Sequence, residues 1–154
     1  MKHLTALTLG LTLLAAPLLA EGHETGDAAN GEKVFSKCKS CHMIASAEET
    51  IFKGGNVGPN LYGVYTRVAG TQADYTKYGD SLVATGAAGL AWNEDDFVSY
   101  VADPKGFLTE YLDDRKARSN MSFKLKDEDD TKDVWAYLVS VGPEVEAAPA
   151  AASN

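Results

Sequence analysis

Apolar positions fall into four blocks along this chain, and their spacing is helical in the three that follow the first. The first block is a run from Leu4 to Ala20, broken only by Pro17. The second places Gly31, Val34, Phe35 and Cys38 on one side of a helix that Asp27 can cap. The third begins at Asn93, a good cap, with Asp96 in its first turn, Phe97, Val98 and Val101 as its apolar side and Pro104 as a stop. The fourth starts near Asp127, carries Val134, Trp135, Leu138 and Val141, and ends at Gly142-Pro143. Between the second and third blocks, residues 43–89 are rich in glycine and turn residues, which predicts wrapping loop with one short helix around Asp80 to Thr85. Alternating strand patterns are nearly absent. The prediction is an all-α domain with long loops, and loops of that length need something other than each other to pack on.

Length and composition narrow this picture. A chain of 154 residues is of single-domain size. Met1-Lys2-His3, the apolar run and then Glu21-Gly22-His23-Glu24 follow the basic, apolar, small-residue order of a secretory signal peptide. The proline and the short run argue against an uncleaved membrane anchor, which needs about 18 or more unbroken apolar residues. The expected organisation is a signal peptide over 1–20, cleaved after Ala20, a folded domain over 21–142, and a disordered Ala/Pro-rich tail over 143–154. Cleavage implies export, and the expected location is the periplasm.

The two cysteines of the chain lie in Cys38-Lys39-Ser40-Cys41-His42. Two thiols at this spacing followed by histidine read as covalent attachment of one c-type haem, with the imidazole brought to the iron. In an oxidising compartment a CxxC could instead be a disulfide or a thiol redox site. His42 and the lack of strand-helix-strand patterning count against that. A zinc site needs about four N or S ligands, and the cysteines and histidines here do not supply a recognisable set. For a second iron ligand the candidates beyond the leader are His23, Met43 and Met121. Met43 is bonded to His42 and cannot reach the far side of a ring, and His23 sits in a polar segment. Elimination selects Met121, whose polar neighbours argue against the ordinary role of methionine as a core gap-filler.

Ordered along the chain, Gly31 and Phe35, CKSCH, Gly58-Pro59-Asn60-Leu61-Tyr62-Gly63, Gly70-Thr71-Gln72-Ala73-Asp74-Tyr75, Gly89-Leu90-Ala91-Trp92, Tyr100, Pro104, Met121-Ser122-Phe123-Lys124-Leu125 and Trp135-Ala136-Tyr137-Leu138 form a set. In that set the chain resembles the class I c-type cytochromes, and within them the cytochrome c2 group, over roughly residues 26–141. The resemblance implies N- and C-terminal helices packed together, with loops wrapped around a covalent haem. It also implies that the Pro59 carbonyl accepts a hydrogen bond from His42, that Arg67, Tyr78 and Trp92 meet the haem propionates, and that Tyr100 lies near the methionine sulfur. The function it implies is a monomeric one-electron carrier that is not an enzyme. A quinol-oxidising cytochrome bc complex would be its donor, and a photosynthetic reaction centre, terminal oxidase or periplasmic reductase or peroxidase its acceptor. A labile methionine would instead give a peroxidase or diatomic-gas binder, but no distal histidine is available for that chemistry. The loop around Lys53 to Asn56 and the segment between Pro104 and Met121 are longer than in the shortest members.

Charge bears on partners. The formal net charge of −8 argues against nucleic acid. Its distribution is uneven: residues 31–43 set Lys33, Lys37 and Lys39 against Glu32 alone. Residues 104–126 hold Lys105, Arg115, Lys116, Arg118, Lys124 and Lys126 against Glu110, Asp113 and Asp114. The expectation is a dipolar molecule whose lysines around the haem edge, Lys37 and Lys124 among them, steer it to acidic patches on membrane redox complexes.

Overall fold

The computed structural model describes residues 24–144. The predicted signal peptide over 1–20, His23 and the tail beyond Glu144 lie outside them. Five α-helices are present among the described residues: α1 Ala28–Val34, α2 Asp80–Ala87, α3 Glu94–Ala102, α4 Pro104–Tyr111 and α5 Glu128–Ser140. Four start where a side-chain oxygen accepts a free backbone N–H of the first turn. Asp27 accepts from Ala29 and Asn30, Asn93 from Asp96, Asp103 from Gly106 and Asp127 from Asp130. The α1 segment tightens into a 3-10 turn over Phe35–Lys37, so the regular helix is shorter than its apolar pattern and the turn delivers Cys38.

Two features depart from the predicted layout. Residues 43–89 are not all loop: β1 Ile44–Ala45 and β2 Thr50–Phe52 pair antiparallel, with Ile44 opposite Phe52. Pieces of two and three residues are too short to show an alternating pattern. Pro104 also does more than end α3. It occupies the first turn of α4, where a missing N–H costs nothing, and Asp103 caps the new helix.

α1 and α5 cross at the point where Gly31 meets Asp133 and Tyr137. A Cβ on Gly31 would overlap the Asp133 carbonyl and stand 2.9 Å from the Tyr137 Cβ. The Asp133 carboxylate ties the crossing by accepting from the Asp27 N–H at 2.6 Å and from the Asn30 amide at 2.7 Å. Phe35, fully buried, packs its ring against Phe52 at 4.9 Å and Tyr137 at 6.0 Å, so the crossing and the small sheet share one core. Trp135 carries that core toward α3 through Phe97 at 5.2 Å and toward the 64–66 turn through Tyr65 at 6.3 Å. This packed slab leaves the 38–79 and 112–127 loops to enclose the remaining side.

Gly31→Ala should therefore lower stability by about 1–3 kcal/mol, the cost of forcing a methyl into a closed contact. A denaturant midpoint unchanged from wild type would show that the helices can separate at no cost.

Candidate functional site

Cys38, Cys41 and His42 share one tight turn, held by the N–H groups of Cys41 and His42 donating to the Cys38 carbonyl at 3.1 and 3.0 Å. The following loop folds back onto it, with Gly55 N–H on the Lys39 carbonyl and Gly58 N–H on the Cys41 carbonyl, both at 2.8 Å. Gly58 lies flat against the imidazole, and a Cβ there would stand only 2.7 Å from His42 Nδ1. That close approach lets His42 Nδ1 meet the Pro59 carbonyl at 2.8 Å. With Nδ1–H donating, the Nε2 lone pair is free. Burial lowers the basicity of His42 from its usual value, against the opposing effect of the Pro59 bond. Burial pushes the Cys38 thiol up to about 11, with Lys37 pulling the other way.

The next wall is hung on Asn60. Its side chain exchanges hydrogen bonds with Ala45, accepting the N–H at 3.1 Å and donating to the carbonyl at 2.7 Å. Its carbonyl accepts Nη2 of Arg67 at 2.9 Å. Arg67 Nη1 is buried with no partner, alone in this among the buried side-chain polar atoms of the described residues. Burial lowers the Arg67 pKa, and neighbouring Tyr78 opposes the shift. Tyr78 packs edge-on against Tyr75 at 4.8 Å, and its hydroxyl accepts the Gln72 N–H at 3.3 Å. The Tyr75 hydroxyl reaches across to the Val57 carbonyl at 2.5 Å, closing the 70–79 loop on the His42 side.

On the α3 side, Tyr100 is buried and stands edge-on to Trp92 at 5.1 Å. Its hydroxyl lies 3.5 Å from the Ser119 hydroxyl, and that oxygen accepts the Met121 N–H at 3.1 Å. Tyr100 is thus connected to Met121 through Ser119. The Met121 loop has two further tethers: Arg118 N–H to the Ser81 hydroxyl at 3.0 Å and the Asn120 amide to the Lys77 carbonyl at 3.1 Å. Ser81, Ser119 and Asn120 were not singled out from the sequence, because small polar residues in a loop carry no pattern of their own.

All nine residues expected at the site, Cys38, Cys41, His42, Pro59, Arg67, Tyr78, Trp92, Tyr100 and Met121, line a single cavity of about 430 Å³. Leu61, Val64, Leu82, Phe97, Val101, Leu125 and Val134 supply much of its apolar wall.

Comparison with known proteins places this arrangement. The Cytochrome c family profile matches residues 28–142. The chain belongs to the cytochrome c family. It is 55% identical to cytochrome c-551 of Roseobacter denitrificans over 142 residues, covering 92% of this chain and 96% of that one. It is 53% identical over 139 residues to cytochrome c2 of Rhodobacter capsulatus, covering 90% and 96%. The solved structure of cytochrome c2 from Rhodobacter sphaeroides superposes with a TM-score of 0.75 at 48% identity, covering 78% of this chain and 99% of that one. This c-type cytochrome is therefore of the cytochrome c2 kind within class I, an electron carrier with haem c held covalently.

The residues present fit that group. An apolar cavity opens beside two uncombined thiols, and a buried guanidinium nitrogen inside it lacks the anionic partner that buried charge requires. The charged rim carries two exposed ion pairs. Lys37 and Lys124, expected among the steering lysines, lie near Asp130 and Asp103 respectively, both at 2.7 Å. Their partners come from elements distant in sequence, so a count along one segment misses them.

Asn120→Ala removes one of the three tethers on the Met121 loop. It should cost about 1 kcal/mol and speed hydrogen exchange at the Met121 amide. Unchanged exchange there would show that the loop is held without Asn120.

Proposed function

We propose that this cytochrome carries one electron at a time on a haem that His42, through Nε2, and Met121, through its sulfur, would hold. The observation that carries the reading is the convergence on one cavity of nine residues drawn from positions 38 to 121. Cys38 and Cys41 would hold it covalently through two thioethers, which would remove their thiols from titration and prevent loss of the cofactor. The haem supplies the reversible one-electron couple of its iron, and His/Met ligation sets that couple at a raised potential. Pro59 accepts the His42 Nδ1–H, fixing the ring's tautomer and orientation and raising its basicity as a ligand. Arg67, through its unpartnered Nη1, would donate to a haem propionate, with Tyr78 and Trp92 as additional donors. Tyr100, acting through Ser119, keeps the Met121 backbone in place. With two protein ligands the iron would have no open position for substrate, which would separate a carrier from the peroxidase or gas-binding alternative.

The same reading puts the mature protein in the periplasm as a monomer, after cleavage of residues 1–20, with the domain spanning 21–142. Its partners are membrane redox complexes: a quinol-oxidising cytochrome bc complex as donor and a photosynthetic reaction centre, terminal oxidase or periplasmic reductase as acceptor. Because Lys37 and Lys124 are paired, steering falls to cations without a carboxylate within reach. Lys77 is one, exposed and at the mouth of the cavity.

Met121→Ala in the haem-loaded protein should abolish the weak near-infrared absorption of methionine-ligated ferric haem and lower the potential. An intact band in this variant would remove Met121 from the iron. Separately, Lys77→Glu should slow association with an isolated reaction centre or oxidase several-fold at low salt and flatten its dependence on ionic strength. Rates that match wild type at every salt concentration would rule out steering by this face.

A further inference from the structure

The turn that delivers Arg67 to the cavity is held from its opposite side. It is a 3-10 turn over Val64–Thr66, entered through Gly63 in the left-handed region at φ 66° and left by Arg67 in extended backbone. Three residues per turn put positions 64 and 67 on one face and position 65 on another. Val64 and Arg67 accordingly line the cavity, whereas Tyr65 lies outside it and packs edge-on against Trp135 of α5 at 6.3 Å.

The residues just past α5 close over Tyr65. Gly142 lies against its ring, where an added Cβ would stand 2.5 Å from the hydroxyl oxygen and 2.6 Å from a ring carbon. The Tyr65 hydroxyl donates to the Pro143 carbonyl. Pro143 in turn covers Gly63, whose Cβ position is 3.2 Å from two carbons of the proline ring. The turn between these grips is stiffened by its own bonds. Thr66 Oγ1 donates to the Gly63 carbonyl at 2.8 Å and the Arg67 N–H to the Val64 carbonyl at 3.1 Å. The Arg67 carbonyl accepts the Trp92 N–H at 3.0 Å. Within the guanidinium, Nη2 donates to the Asn60 carbonyl and Nη1 is buried without a partner. A short, internally bonded turn moves as a unit, so what fixes Tyr65 also fixes the origin of the Arg67 side chain.

We propose that Tyr65 is a positioning residue for the redox site: held by Gly142 and Pro143, it fixes the turn from which Arg67 presents Nη1 to the cavity. The end of α5 thereby sets where the buried positive charge lies. This rests on the reading that Nη1 meets a haem carboxylate. A guanidinium near the haem favours the reduced state, because oxidation adds positive charge, and it keeps a neighbouring carboxyl ionised to lower pH. Loosening the turn weakens both effects together, whereas a loss of packing alone moves neither. The ionisable neighbours are Tyr78 beside Arg67, and Tyr62 and Glu24 beside Tyr65. Burial holds the Tyr65 and Tyr78 phenols above their usual range, so both stay protonated where a carboxyl titrates.

The test is the midpoint potential of the haem-loaded protein from about pH 5 to 9, in wild type, Tyr65→Phe, Gly142→Ala, Arg67→Gln and Tyr137→Phe. Tyr65→Phe keeps the ring on Trp135 and removes the bond to Pro143, while Gly142→Ala displaces the ring with Tyr65 itself intact. Both should lower the potential at neutral pH in the direction of Arg67→Gln, by a smaller amount. Both should also raise the proton affinity of the carboxyl several-fold, moving the inflection of the pH profile upward. Tyr137→Phe, which removes a phenol at the α1–α5 crossing, should keep the wild-type potential and profile. A lower denaturant midpoint in Tyr65→Phe with an unmoved potential and pH profile would overturn the inference, and a lowered potential in Arg67→Gln would then leave the haem reading standing. A Tyr137→Phe profile displaced as far as that of Tyr65→Phe would overturn it as well. An unmoved potential in Arg67→Gln would overturn both the inference and the reading beneath it.

Discussion

The contact on which the rest of this structure depends is that between the His42 imidazole and the Gly58–Pro59 backbone. Glycine at 58 lets the chain lie against the ring, and the next carbonyl then meets Nδ1 at 2.8 Å. A side chain at 58 would push the loop off, and with it the hydrogen bond that selects the tautomer. Everything downstream follows from the position of this loop. Asn60 is delivered to Ala45, the Asn60 carbonyl to Arg67, and Val57 to the Tyr75 hydroxyl. A sequence dense in glycine is thereby held by side chains bonding to backbone, one loop to the next, rather than by regular secondary structure.

The interior electrostatics are costly for the polypeptide by itself. A half-buried guanidinium whose Nη1 is buried and unsatisfied is disfavoured, and burial works against the charged forms of both Cys38 and His42. These costs have one physical sense. Under the proposed function, a haem carboxylate beside Arg67 would give its Nη1 the partner it lacks, while Cys38 and His42, kept neutral by burial, would meet the cofactor without a buried charge of their own. The polypeptide is incomplete around its cavity, and haem c supplies what is missing.

Much of this was legible in the residues. The helix caps at Asp27, Asn93 and Asp127 and the apolar spacing behind them are local signals, and all three helices are found where those signals stand. CKSCH needs only five residues, and the short supply of histidine and methionine selected Met121, which does line the same cavity. What the residues did not disclose is non-local or too short to have a period. β1 and β2 hold two and three residues, and Pro104 reads equally as the end of one helix or the beginning of another. The pairing of Lys37 with Asp130 joins positions 93 apart, and only the α1–α5 crossing brings them together.

That crossing also explains how loops this long can serve a redox centre. A carrier changes charge state with each encounter, and any loosening of the shell around the iron would add to the energy of reorganisation. Here the two sides of the cavity are built differently. The His42 side is anchored directly to the helical slab, since the CKSCH turn continues from α1, which Asp133 and Tyr137 clamp against α5. The Met121 side hangs from single hydrogen bonds to Ser81, Lys77 and, by way of Ser119, Tyr100. Hydrogen bonds to exposed loops open more readily than a packed crossing. The methionine side is thus the more compliant half of the site, and the His42 side the stiffer one.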